Sequence, residues 1–545
     1  MTAAASRPPT PVTGAVLVAA IVCATLTEAI AGTVLSLARA DIAGDTQATP
    51  DELAWLDIAY TALKLLGFMV APWLLTRIRP RSLILGSTLV MGAAGLIAAL
   101  TARLDLLVAL RGVQGFSGGT LLVAGQTLIF LVFARRQQPV LQALFAIGAV
   151  VAPATLTPAL GGWLLDHLSW TWIFLSIVPL ALAAAGLLLL TDGSAPHETA
   201  SRPFDWLGVA LLSTALLCLT YVFSQGSRWN WFEEAHIVWL TMIGAAALLA
   251  FLGQQAMAGP KALLDFSLFR SDDFSFASVV SLVAGAALFG TAFLIPSFAV
   301  SRLGFTPTAA GELLLPSSAL FIGALLLSAF LMQVRRVPPI ATVPFGILMI
   351  MVSMWMLSGS TSDSGASDMM AAILLRGLGL GFLFLSITLV AFGSLPDHNL
   401  ASGIGLFNTG RQLGGLMGVA ALQTLIDHET AANLAVLGAN ITAGGPAVGE
   451  RLTATTAMLA SKGLDATVAA ATATSLLGRA VTGQALMIAF DTAFNAVALF
   501  FVIAAPVLIG FKVGLLRYAK VRAARMLMPE GVPRSLPRHG PRQER

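Results

Sequence analysis

Long apolar runs, separated by short clusters of Arg, Asp, Gly or Pro, set the pattern of this chain. A helix needs roughly 20 apolar residues to cross a hydrocarbon core. Fourteen runs approach that length. They predict membrane helices over Val12–Ser36, Leu53–Leu75, Ser82–Thr101, Leu106–Phe133, Val140–Leu165, Trp170–Leu190 and Leu207–Phe223. A second set covers Ile237–Leu252, Phe274–Val300, Ala310–Met332, Ile340–Leu357, Met369–Phe392, Ala401–Leu425 and Gln484–Leu515. The first run is too long for the apolar core of a cleaved signal and reads as an anchor that stays. The stretch 427–483, rich in Ala, Thr and Gly, is expected as a long outer loop. Within it 450–477 is a candidate outer-surface helix, and a poorly packed excursion is the alternative.

An even number of crossings puts both ends of the chain on one side. Lys and Arg in short loops decide which side. One set of connections carries Arg77, Arg79, Arg81, Arg135, Arg136, Arg202, Lys261, Arg270, Arg335 and Arg336, and the C-terminal tail adds more. The opposite connections hold mainly Arg39, Arg103, Arg228 and Arg302 beside Asp41, Asp45, Asp51, Glu233, Glu234 and Asp363. The basic set is expected in the cytoplasm, with both termini.

Composition sharpens the class. Of 545 residues 57% are hydrophobic and 11% charged, and mean hydropathy is +0.85. A soluble domain carries about 25% charged residues. Net charge is +4 and gives no basic patch for nucleic acid. Cys23 and Cys218 lie in apolar runs and offer no disulfide framework. None of the five lysines stands in a phosphate-binding G-x-x-x-x-G-K-[ST] loop. The six histidines lack metal-ligand spacing, and no nucleophile–base arrangement stands out. The expectation is a secondary transporter, not an enzyme, with no cofactor or metal and an ion gradient as energy source.

Two local patterns carry more. The fourth run reads Arg111-x-x-Gln114-Gly115-x-x-Gly118-Gly119. A guanidinium in mid-membrane costs about 2.5–3.5 kcal/mol on insertion scales, so it needs a polar interior. Glycines let a neighbouring helix approach closely. The fifth run holds Pro153, Thr157, Pro158, Gly161 and Gly162, which predicts kinks and a flat packing face.

These segments resemble the major facilitator superfamily, specifically its fourteen-helix drug:proton antiporter branch, the EmrB/QacA type. Trp55 and Tyr60, the stretch Leu264–Arg270, Pro296, Gly311 with Pro316, and Arg376–Gly381 fit that branch in order. So do Asn408, Arg411, Gln412, Gly414 and Gly415, then Gln484, Ala485, Asp491 and Phe494. There are departures. The link from the second to the third run keeps Arg77, Arg79 and Arg81 but lacks the family's Gly and Asp, and Pro153 and Thr157 replace glycines. The resemblance implies an all-α integral membrane protein with the major facilitator fold. It would have about 14 transmembrane helices, as two six-helix bundles plus two extra central helices. The bundles would be 1–200 and 259–515, the extra helices 201–258, and 516–545 a basic tail.

Ionisable residues inside the membrane are candidate functional groups. Glu28 in the first run is the main candidate proton carrier, because burial favours the neutral form of a carboxyl group. The alternative is a permanent ion pair with Lys64 or Arg111. Arg111, Asp57 and Asp491 join Glu28 as proton-coupling candidates. Glu28, Lys64, Gln114, Glu312, Asn408 and Arg411 are expected at the substrate cavity. Gly115, Pro153, Pro158, Gly161, Gly162 and Arg77 are expected to serve the conformational change. Arg376 and Arg411 are expected near helix ends, snorkelling toward the interface.

The function expected is proton-coupled export of amphipathic small molecules by alternating access, within the lipid bilayer. The alternative is a narrow exporter of an anionic metabolite, fatty acid or siderophore, with Lys64 and Arg111 on a carboxylate. A proton-coupled importer and a transporter-like sensor rank lower. The resemblance also implies a periplasmic adaptor and an outer-membrane channel as partners in a host with two membranes.

Overall fold

The computed structural model describes residues 11–33, 35–191, 203–393, 395–442 and 445–526. Arg202, the tail past 526, and the side chains of Ser36, Lys520, Arg522 and Arg525 lie outside the described residues. Among the described residues every regular element is a helix.

The first half of the chain forms α1 (Pro11–Thr33), a short α2 (Leu35–Thr46), α3 (Pro50–Arg77), α4 (Pro80–Ala99), α5 (Leu104–Val132), α6 (Gln138–His167) and α7 (Trp170–Leu189). Then come α8 (Trp206–Gln225) and α9 (Ala235–Met257). The second half forms α10 (Asp272–Ser301), α11 (Pro307–Gln333), α12 (Pro339–Leu357), α13 (Ala366–Gly393), α14 (Asp397–Ala439), α15 (Pro446–Ser461) and α16 (Ala466–Met526). Thirteen of these are long and apolar enough to cross a membrane. The helix over the thirteenth predicted run, α14, is not among them, although it is 43 residues long. Asn408, Arg411, Gln412 and its glycines dilute its apolar character.

The expected loop 427–483 is mostly helix. α14 continues to Ala439, α15 packs on α16 with no buried residue of its own, and α16 starts 18 residues ahead of Gln484. Alanine is the best helix former, so Ala-rich segments extend a helix beyond its membrane stretch without needing apolar length.

Local signals explain several starts. Thr49 and Glu52 form a reciprocal capping box that opens α3. Asp205 accepts from the Gly208 amide at the start of α8. α6 stays continuous through its prolines. It widens to a π-helix over Ile147–Leu156, around Pro153, in place of two sharp kinks.

Reciprocal glycines let two helix pairs cross at backbone contact. A Cβ on Gly115 of α5 would lie 2.1 Å from the Tyr60 carbonyl oxygen of α3, and one on Gly119 2.3 Å from that of Lys64. In the second half, a Cβ on Gly285 of α10 would lie 2.0 Å from the Arg411 carbonyl oxygen. One on Gly414 of α14 would lie 2.0 Å from that of Leu282. Such small-residue crossings replace the hydrophobic drive that lipid removes.

The two halves of the chain meet toward both faces. Near the face with the basic connections, Gly405 of α14 lies against the backbone of Phe68 in α3. Near the opposite face, Gly162 of α6 lies on Thr308 of α11, Gly311 lies on Ala159, and Thr308 donates to Asp166. The turn between α8 and α9 spans both halves there. Ser227 donates to Asp427 at 2.7 Å, Trp231 Nε1 to Thr424 at 2.8 Å, and Arg228 pairs with Asp51 at 3.0 Å.

Candidate functional site

The crossing of α3 and α5 brings their polar residues up to α1. Glu28 is 2% exposed, and its Oε1 contacts Lys64 Nζ in an ion pair. The Tyr60 hydroxyl donates to the same oxygen at 2.9 Å. Gly118 leaves the space that the Glu28 methylene occupies, since a Cβ there would lie 2.8 Å from Glu28 Cγ. The motif glycines thus both permit the helix crossing and shape the seat of the carboxylate.

Arg111 closes the cluster. Its guanidinium carbon lies 4.1 Å from the Tyr60 ring centroid, a cation–π distance. Nη1 donates to the Ala31 carbonyl at 2.6 Å and to Gln114 Oε1 at 3.1 Å. Arg111 Nε and Nη2 and Gln114 Nε2 are buried without a hydrogen-bond partner. Tyr60 is therefore the hub: its hydroxyl meets the carboxylate and its ring meets the guanidinium. The cluster holds one carboxylate and two cations.

A second polar group joins the halves. Asn408 of α14 donates to Gln126 Oε1 of α5 at 3.2 Å, and Gln126 donates to Gln142 of α6 at 3.1 Å. Gln126, Gln142, Phe384, Thr388 and Arg411 line a narrow cleft of about 10 Å³. The Arg411 guanidinium lies 4.9 Å from the Phe384 ring centroid.

The structure brings Glu28, Lys64, Gln114, Arg111 and Gly115 together, and it places Arg411 at the cleft with Asn408 behind it on Gln126. It does not bring the other expected acids there. Asp57 pairs with Arg39 at 2.5 Å in a partly exposed bridge near the opposite face. Seven residues put it on the Lys64 side of α3, yet about 10 Å along the axis. Glu312 is exposed at the start of α11, at the edge of the span. Asp491 lies half-buried on α16, which packs on α10, α12, α14 and α15 and not on the helices that hold Glu28.

Among the conformational residues, Pro153 sits in the π segment, and Pro158 and Gly162 lie at the α6–α11 contact. Gly161 does not share that contact: a Cβ there would meet nothing within 4 Å. Arg77 stacks on Trp73 at 4.8 Å. In the same connection Arg81 donates from Nε to the Leu188 carbonyl at 3.0 Å, capping the end of α7. Arg376 does not snorkel. It is fully buried in α13, and its Nε donates to Thr291 at 2.8 Å.

Sequence reasoning noticed Tyr60 without a role and missed Gln126 and Gln142. The signal was present, since buried amides inside apolar runs need partners.

A helical membrane protein with buried charges at the crossing of three helices, and two halves that meet around a central cleft, is a secondary transporter in class. The chain belongs to the Major Facilitator Superfamily, whose profile matches residues 17–419. It is 26% identical over 427 residues to "Multidrug export protein EmrB" of Escherichia coli (strain K12), covering 76% of this chain and 81% of that one. It is 24% identical over 453 residues to "Colistin resistance protein EmrB" of Acinetobacter baumannii, covering 82% and 86%. These relatives bear out the EmrB/QacA-like resemblance drawn from the motifs. Among solved structures, a bacterial homolog of the human lysosomal transporter Spinster matches with a TM-score of 0.53 and 14% identity, over 93% of this chain and 98% of that one. That likeness concerns the fold alone.

Proposed function

We propose that this protein exports amphipathic small molecules in exchange for protons, by alternating access. The observation that carries the reading is the buried carboxylate of Glu28, held between Lys64 and Tyr60 with the Arg111 guanidinium stacked on the tyrosine ring. The multidrug-export and colistin-resistance titles of its relatives support the cargo class.

A proton reaching Glu28 neutralises the partner of Lys64 and makes the cluster one unit more positive. A site that changes charge and hydrogen bonding in this way holds proton and cargo in turn, which is the condition for exchange. Each charge moved gains about 2.3 kcal/mol per 100 mV. No cofactor takes part, and the proton gradient is the energy source.

The helices act as two six-helix groups, α1 and α3–α7 against α10–α14 and α16, with α8 and α9 as the additional pair. The contacts near the basic face (α3 with α14) and near the opposite face (α6 with α11) open in turn. The basic connections face the cytoplasm by the positive-inside rule, with both termini, at the inner membrane. In a host with two membranes a periplasmic adaptor and an outer-membrane channel complete the export route.

The test uses inverted membrane vesicles with an acid interior and a pH-sensitive dye. Lipophilic cations, neutral drugs and amphipathic acids are added in turn. Proton release evoked by some of them is expected. Silence across the panel with folded protein would contradict the reading.

A further inference from the structure

A second guanidinium lies in the interior, in the other half of the chain. Arg376 of α13 is 0% exposed. Nε donates to Thr291 Oγ1 of α10 at 2.8 Å, and that hydroxyl donates in turn to the Ala287 carbonyl at 2.7 Å. Thr291 is thereby fully engaged and fixes the orientation of the guanidinium. The two terminal nitrogens, Nη1 and Nη2, are buried with no hydrogen-bond partner, and no ion pair involves Arg376 among the described residues.

Ser317 of α11 lies beside the next residue of α13. Its side chain is 0% exposed, and its Oγ is also buried without a partner. Ser317 packs directly on Gly377, the residue after Arg376, where a Cβ would lie 2.7 Å from the serine Oγ. The three residues share one depth. Arg376 and Ser317 are each ten residues in from the start of their helices, and Thr291 is ten residues from the end of α10. That is about 15 Å of helix.

Arg111 offers the contrast. It also has free nitrogens, but it stacks on Tyr60, donates to Ala31 and Gln114, and belongs to the cluster that holds Glu28. Arg376 has one neutral partner and no carboxylate. A guanidinium is always charged and presents its terminal nitrogens as a fork that matches a carboxylate with two parallel hydrogen bonds. Two buried donors of this kind match the two oxygens of a carboxylate.

We propose that Arg376, oriented by Thr291, binds a carboxylate in the interior of the second half of the chain. The carboxylate comes either from the acid group of an amphipathic cargo or from a small free acid. The first source rests on the export reading; the seat itself does not.

The test reads binding without transport. The thermal stability of the purified protein is measured with acetate and with naphthoate at equal ionic strength in chloride, for the wild type and Arg376→Gln. A carboxylate-dependent rise in melting temperature is expected in the wild type and is lost in the variant. No rise in the wild type, or the same rise in the variant, overturns the proposal. If Arg376→Gln does not fold, Thr291→Val carries the test. It retains the cation, and a several-fold weaker response is expected, while an undiminished one overturns the proposal. In vesicles, proton release evoked by naphthoate in the wild type and lost in the variant makes cargo the source. A thermal response to both acids without proton release makes it a small free acid. Silence of the wild type toward every transported probe would count against the export reading alone.

Discussion

Lys64 and Glu28 form an ion pair inside the membrane span, with the lysine on α3 and the carboxylate on α1, and the Tyr60 hydroxyl fixed on the same carboxylate oxygen. Glu28 is buried at 2% exposure and Lys64 is partly buried at 12%. Taking two charges out of water is costly, and a buried pair seldom stabilises a fold more than apolar residues would. Its retention in the middle of the glycine crossing fits a pair that must part during work.

Removing one partner should be worse than removing both. Lys64→Ala leaves the Glu28 carboxylate uncompensated and is expected to cost about 3 kcal/mol. Lys64→Met combined with Glu28→Gln should regain most of that. Thermal unfolding in detergent of the two single variants and the double variant checks this. Equal or additive losses would show that the pair does not couple.

The glycine crossing should tolerate no side chain. A Cβ on Gly115 falls 2.1 Å from the Tyr60 carbonyl oxygen, so Gly115→Val must push α3 and α5 apart. A loss of about 1–3 kcal/mol or more is expected, along with transport. Gly161→Ala provides the control, because nothing lies within 4 Å of its new methyl. It should stay within about 0.5 kcal/mol of wild type. Expression level and thermal stability separate the two.

The contact between α6 and α11 should be mobile in a working transporter. Asp166 and Thr308 hydrogen-bond across it. With Cys23 and Cys218 replaced, a short thiol crosslink between Asp166→Cys and Thr308→Cys should lower transport more than tenfold, with recovery on reduction. Full transport by the crosslinked protein would show that this contact never opens.

Much of this site was legible in the sequence because charge in an apolar run is a rare event. Glu28, Lys64 and Arg111 stand out on that ground, and Gly115 and Gly119 announce a close crossing. The same signal misled at Asp57 and Glu312. Hydropathy along a run gives position only to within a turn or two, and that distance separates mid-membrane from the edge. Arg376 shows the reverse error: a guanidinium expected at the interface lies fully buried. Gln126 and Gln142 went unread because neutral amides barely lower hydropathy, and only packing reveals that they bridge α5, α6 and α14. In 427–483 the apolar runs ended, but the helices did not, since alanine sustains a helix without a hydrocarbon core around it.

The central claim is that Glu28 carries the proton exchanged for cargo, and Glu28→Gln tests it most directly. The variant keeps the shape of the side chain and cannot ionise. Purified wild type and variant are reconstituted into vesicles with a fluorescent cargo identified from the panel. Transport is measured once under a proton gradient, and once as cargo-for-cargo exchange without one. The account predicts that the variant loses gradient-driven transport by at least tenfold and keeps the exchange. Gradient-driven transport at the wild-type rate in Glu28→Gln would contradict it.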